Sequence, residues 1–134
     1  VIPLSKHIGA EVRGIDFSKP IDQAAIDFIN KVWLDHIVLL VRGQKLSQED
    51  LLRLTRYFGE LGHIRRPPKF FPPGFDKILP GILMISNIRE NGEPIGSLPD
   101  GEMWFHHDTI HRPIPHKATL LYAREVPAWR LRHG

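Results

Sequence analysis

The stretch Trp104-Phe105-His106-His107-Asp108 holds the residue types best suited to chemistry. In an extended chain successive side chains alternate faces, so His106 and Asp108 point one way and His107 the other. An imidazole and a carboxylate two residues apart on one face supply two ligands of a facial site built from two histidines and one carboxylate. That geometry suits iron and leaves coordination positions open for a co-substrate and oxygen. The chain has eight histidines and 15 acidic residues, so a His-x-Asp can equally be a partly exposed pair with no metal, and the surrounding sequence has to decide. Zinc accepts the same ligand types, which keeps a zinc hydrolase using His106, Asp108 and another histidine as a further option.

Other side chains are candidates for the rim of such a site. His63, Arg65, Arg66 and Lys69, interleaved with Phe70 and Phe71, form the densest basic cluster. They suit an anionic substrate at the mouth of the site. Stacking on a single-stranded nucleic acid and a solvated loop with apolar anchors are the other readings. Asn87 and Glu102 bracket a stretch rich in Gly and Pro that fits a lid ahead of the metal pair. His63, Asn87 and Glu102 are therefore the candidate substrate-binding residues.

Elements must position these groups, and the composition bounds what those elements are. With 134 residues and 42% hydrophobic content, the chain fits one globular domain. A complete architecture of this size buries roughly 70% of the surface its unfolded chain exposes. Lys and Arg outnumber Asp and Glu 18 to 15, for a net charge of +3. A nucleic-acid partner needs a stronger, clustered excess, so none is expected. There is no cysteine, which excludes disulfides, thiolate metal sites and a cysteine nucleophile. No apolar run approaches the roughly 18 residues of a membrane span, and the first residues do not open a signal peptide. A cytoplasmic chain without a membrane partner is expected. The initial Val1 fits a processed start, a start codon other than Met, or a missing N-terminal piece.

Along the chain, residues 8–17 read as a short strand pair or a bulged strand around Gly9 and Gly14. Ala25, Ile26, Ile29, Val32 and Trp33 recur at helical spacing over 22–35, with Asp22 as N-cap. Residues 37–41 form a continuous apolar run suited to a buried strand. Ser47 and Asp50 resemble a capping box with Asp in place of the usual Glu, followed by Leu51, Leu54 and Phe58 on one face, so a second helix runs over 48–58 and Gly59 ends it. Trp33 and Phe58 sit on apolar helix faces and read as core. Four prolines make 63–75 a loop. Strand composition returns at 82–86, 103–106 and 117–124, with a second long loop over 87–101. Long loops inside a domain are uncommon unless they cover a site.

The order of short motifs adds a resemblance. Ile8-Gly9-Ala10-Glu11-Val12 and Gly14-Ile15-Asp16 precede the first helix. The strand at 37–42, Gln44, Phe58-Gly59-Glu60-Leu61-Gly62, the 104–108 stretch and 115–127 then follow. This order resembles the family of taurine dioxygenase and 2,4-dichlorophenoxyacetate dioxygenase along nearly the whole chain up to Pro127. The resemblance implies a double-stranded β-helix, or jelly roll, here in the form of an α+β chain with two N-terminal helices and an incomplete jelly roll. It implies Fe(II) as metal and 2-oxoglutarate as co-substrate, in hydroxylation of a small organic substrate, often an anionic one. His106 and Asp108 match the first two metal ligands, with Phe105 where the family often has Trp, and His107 becomes a polar lining or surface residue.

The same resemblance implies a second histidine and an arginine clamp for 2-oxoglutarate well downstream of these positions. After Glu125-Val126-Pro127 the family continues into a Gly-Gly-x-Thr-like stretch, whereas this chain reads Ala128-Trp129-Arg130-Leu131-Arg132-His133-Gly134. Residues 1–127 are thus expected to be the N-terminal part of such a domain and 128–134 a divergent tail. A frameshift after Trp129, a boundary between two assembling polypeptides and a cut chain all fit this. His111, His116 and His133 are the local candidates for a third ligand, and His111, the nearest, has no special metal geometry three residues beyond Asp108 in a loop with Pro113 and Pro115. The expected consequences are weak metal binding without turnover, and uncovered apolar faces near 82–85 and 118–122 that favour a homo-oligomer or a complementing C-terminal fragment. The contrasting reading is a non-catalytic remnant or binding module without a complete metal site.

Overall fold

The computed structural model describes residues 1–62, 78–94, 96 and 104–125. In chain order its elements are β1 (Ile2–Pro3), β2 (Ala10–Glu11), α1 (Gln23–His36), β3 (Leu39–Leu40), α2 (Gln48–Arg56), β4 (Arg89–Glu90) and β5 (Glu93–Pro94). Helices and strands together fit the expected α+β class. Among the described residues, one sheet runs β1-β2-β3 and another pairs β4 with β5.

Both helix starts follow from their capping residues. Asp22 holds an extended backbone and its carboxylate accepts the Ala25 N–H at 2.8 Å. Ser47 accepts the Asp50 N–H at 3.1 Å while the Asp50 carboxylate accepts the Ser47 N–H at 3.0 Å, a complete capping box with the shorter acid. The Ser47 N–H, and then the Arg53 guanidinium, hold the Asp50 carboxyl below the usual carboxylate range. The second helix stops at Arg56, short of the expected Phe58, because the N–H groups of Tyr57 and Phe58 turn back to Leu54 and Thr55 in a tighter i to i−3 pattern.

The expected strand over 8–17 is realised as β2, but its antiparallel partner is β1, upstream of the segment, with Ile2 opposite Glu11 and Pro3 opposite Ala10. On its other side β2 pairs in parallel with β3, Ala10 opposite Leu39. Helix α1 is the crossover that a parallel pair requires. Val32 of α1 packs with Ala10 and Val12, and Ile15, Leu39 and Val41 close around them. Phe17 and Ile29 are also buried. Trp33 and Phe58 meet edge to face at 5.6 Å between centroids.

The apolar run 37–41 is a half-buried strand of two residues, not a buried strand of five. Ile37 serves instead as the cap of α1 at φ 68° and ψ −45°, and is 63% exposed. Its N–H donates to the Trp33 carbonyl, and the Val38 N–H donates to that of His36 at 2.7 Å. Such a turn on a β-branched residue costs about 1–3 kcal/mol, supplied by packing on either side.

Glu11 is buried in the sheet, where its carboxylate accepts from Arg13 Nε at 2.6 Å and lies 3.6 Å from Arg42 Nε. The Arg13 hydrogen bond holds the Glu11 carboxyl below its ordinary 4.5 against the opposing effect of burial. A lowered folded-state value means that this contribution is fully present above about pH 4.5 and is lost as pH falls through the folded value. The melting temperature should therefore fall on acidification below that point. Glu11→Gln should make the acid decline shallower, and an unchanged decline would contradict this assignment.

Three expected strands are corrected. Residues 82–86 contain only an isolated bridge at Ile85, residues 104–106 are not strand, and neither is 117–124. Among the described residues, the ladders of the β1-β2-β3 sheet and of the β4-β5 pair are made by other segments. Exposure still alternates residue by residue from His116 to Ala123, as in an extended chain. Of the segments expected to stand uncovered, Ile85 and Leu121 are exposed and their neighbours Leu83, Met84, Leu120 and Tyr122 are half-buried. Within the loop expected over 87–101 the structure adds the hairpin of β4 and β5, turning on Asn91 and Gly92, both at positive φ. Met103 and the 63–75 loop lie outside the described residues, as does 128–134.

Candidate metal centre

Side-chain contacts tie residues 117–122 to the helical body. The Tyr122 hydroxyl accepts the Leu46 N–H at 3.0 Å, and Lys117 Nζ donates to the Phe58 carbonyl at 3.3 Å. Lys117 Nζ also lies 5.4 Å from the centroid of the Trp33 ring. These contacts fix one wall of an open groove of about 290 Å³ lined by His106, His107, Asp108, His116, Lys117, Ala118 and Thr119.

Within this groove the pair read from the sequence comes together. His106 Nε2 and Asp108 Oδ1 lie 3.3 Å apart, each side chain about half exposed. The other ring nitrogen, His106 Nδ1, is 2.8 Å from the Trp104 carbonyl. A carbonyl only accepts, so Nδ1 carries the proton, and in the neutral ring Nε2 is left with a lone pair facing a carboxylate oxygen. Two acceptors at that separation require a proton or a cation between them. With metal–ligand bonds of about 2.0–2.2 Å, adjacent ligands sit roughly 3 Å apart. The pair therefore fits a divalent metal held by Nε2 and Oδ1, and a carbonyl on the far nitrogen is the usual orienting partner of a ligating histidine.

The turn that follows the pair brings a second segment beside it. Thr109, at φ 57°, turns the chain immediately after Asp108, and the Arg112 N–H closes the turn on the Thr109 carbonyl at 2.9 Å. The Thr109 hydroxyl accepts the His116 N–H at 2.8 Å, which brings the next segment back beside the pair. There the Thr119 hydroxyl donates to Asp108 Oδ2 at 2.9 Å. His107, expected on the opposite face, lines the same groove, with Nδ1 2.9 Å from the Asp108 carbonyl.

His116 packs its ring against Gly62, where any Cβ would fall 2.6 Å from Nε2, and that nitrogen is buried without a hydrogen-bond partner. Among the described residues no group of three His, Cys, Asp or Glu is placed to hold a metal ion. Asn87 is exposed and is not part of the groove lining. His63, Glu102 and His133 lie outside the described residues, as do Arg65, Arg66 and Lys69. Sequence reasoning missed Thr119 and the Trp104 carbonyl. Nothing in local spacing marks a threonine 11 residues from an aspartate as its partner. Among the described residues no helix is long and apolar enough to cross a membrane.

Known proteins resemble this chain along most of its length. Pentalenolactone F synthase of Streptomyces avermitilis is 38% identical over 122 residues, covering 90% of this chain and 38% of that protein. (S)-phenoxypropionate/alpha-ketoglutarate-dioxygenase of Delftia acidovorans is 25% identical over 138 residues, covering 96% of this chain and 42% of that protein. The chain thus spans about two fifths of the length of these relatives. The crystal structure of AAD-2 in complex with Mn(II) and N-oxalylglycine superposes with a TM-score of 0.61 over 84% of this chain and 38% of that one, at 21% identity, a likeness of fold. The model of the family described as taurine catabolism dioxygenase TauD, TfdA family matches residues 1–134. Matched by that model from its first residue to its last, the chain belongs to the TauD, TfdA family of dioxygenases.

Proposed function

We propose that this chain contributes His106 and Asp108 to the metal of an Fe(II)- and 2-oxoglutarate-dependent dioxygenase that hydroxylates a small, anionic organic substrate. Enzymes of the family use Fe(II) and 2-oxoglutarate. The observation that carries the reading is the approach of His106 Nε2 to Asp108 Oδ1 at 3.3 Å, with Nδ1 already engaged by the Trp104 carbonyl. When bound, Fe(II) with 2-oxoglutarate and O2 supplies the oxidation, giving succinate, CO2 and the hydroxylated substrate. His106 Nδ1 on the Trp104 carbonyl turns Nε2 toward the metal position, and Asp108 brings the negative charge that draws a cation there.

A third ligand and a cationic anchor for 2-oxoglutarate come from outside the described residues in this reading. Residues 1–127 are the N-terminal part of a jelly-roll domain and 128–134 its divergent tail. His63, with Arg65, Arg66 and Lys69, is the proposed contact for the substrate's anionic group, and Asn87 and Glu102 are the proposed lining of the lid.

Metal titration followed by an assay for succinate tests the proposal. The purified 134-residue chain should bind Fe(II) weakly and form no succinate above the protein-free rate. A polypeptide of the relatives' full length that carries these residues should release succinate. Stoichiometric Fe(II) binding with succinate formation by the short chain would overturn the two-ligand account. No metal binding at all favours a non-catalytic binding module, and tight zinc with hydrolysis favours a hydrolase.

A further inference from the structure

We infer that Thr119 is a positioning residue of the metal site: its hydroxyl holds the Asp108 carboxylate so that one oxygen alone faces the metal. The inference rests on the metal reading above and extends it to a residue which neither the motif nor the family resemblance singles out.

A free carboxylate rotates about its Cβ–Cγ bond and offers either oxygen, or both, to a cation. Here the two oxygens have different partners. Oδ2 accepts the Thr119 hydroxyl at 2.9 Å, and Oδ1 is 3.3 Å from His106 Nε2. The hydroxyl therefore occupies a lone pair of Oδ2, favours single-oxygen ligation through Oδ1, and lowers the rotational freedom lost when a metal binds.

Thr119 is itself held from both sides along its chain. Two residues earlier, Lys117 is anchored on the Phe58 carbonyl and the Trp33 face. Three residues later, the Tyr122 hydroxyl accepts from Leu46 N–H and donates to the Gln44 carbonyl at 3.4 Å. The helical body thereby sets where the Thr119 hydroxyl stands, and the hydroxyl sets the carboxylate. His106 receives the equivalent service from the Trp104 carbonyl, so each of the two ligands has its own orienting partner on a different segment.

The test is Mn(II) binding by the 134-residue chain, read as bound ion by electron paramagnetic resonance at the Mn(II) concentration that half-saturates the unaltered protein. Thr119 is exposed, so Thr119→Val and Thr119→Ala should leave the melting temperature and circular dichroism unchanged while raising the Kd about 10- to 100-fold, the range for loss of such an orienting group. Thr119→Ser restores the hydroxyl and should bind Mn(II) like the unaltered chain, a rescue that a purely structural role for the side chain does not predict. Equal Mn(II) binding by the Val and Ala variants, or failure of Ser to rescue, would overturn the assignment of Thr119 alone. Absence of Mn(II) binding by the unaltered chain would overturn the metal reading and this inference with it.

Discussion

Replacing His106 with alanine is expected to abolish measurable Mn(II) binding, and Asp108→Asn is expected to do nearly the same. His106→Ala removes a ligand atom and Asp108→Asn removes a ligand's charge, so each should exceed the about 10- to 100-fold cost of losing an orienting partner. Asp108→Asn keeps the shape and the acceptor oxygen but deletes the charge that draws a cation into the groove. His106→Ala removes the ring nitrogen that the contact of Nδ1 with the Trp104 carbonyl aims at Asp108. Both side chains are about half exposed, so neither variant should move stability by more than about 0.5 kcal/mol. Isothermal titration with Mn(II), beside a thermal melt, separates the two effects. Binding retained in both variants would remove His106 and Asp108 from the metal site.

The largest effect on stability is expected from Ile29→Ala. Ile29 is 3% exposed on the inward face of α1, and truncation of a buried isoleucine costs about 2–5 kcal/mol through lost burial and the cavity that remains. Against a total of about 5–15 kcal/mol for a folded domain, that is enough to lower the melting temperature by many degrees or unfold the chain. Leu34→Ala on the same helix is the control. Leu34 is 74% exposed, and its truncation should stay within about 0.5 kcal/mol. Equal losses from the two variants in chemical denaturation would contradict the orientation of α1.

The helices were legible because their information is local. Asp22, Ser47 and Asp50 carry their caps within three residues, and Ile29 and Val32 show the apolar period of a buried face. The Asn91-Gly92 hairpin was equally local and its dipeptide is a strong turn signal, but the prolines and glycines around it favoured a loop reading. Residues 82–86 and 117–124 have strand composition, yet a strand is defined by its partner, and composition cannot supply one. Ile37 shows the opposite failure. An apolar β-branched residue read as strand is the helix cap, because the chain must reverse within one residue to lay β3 beside β2.

For the site, the identities of His106 and Asp108 were legible and the reason for their approach was not. Strand alternation places them on one face, but it does not show the turn at Thr109 and the return through His116 that set the Thr119 hydroxyl on the Asp108 carboxylate. Those contacts span seven and 11 residues, beyond the reach of periodicity. His107 lines the groove it was expected to face away from.

Anomalous diffraction from crystals of the chain soaked in Mn(II) addresses the central claim most directly. The account predicts an anomalous peak in the groove within about 2.3 Å of both His106 Nε2 and Asp108 Oδ1, with Nδ1 still on the Trp104 carbonyl. A peak held by other residues, or a Mn(II)-saturated crystal with no peak between these two atoms, would contradict it.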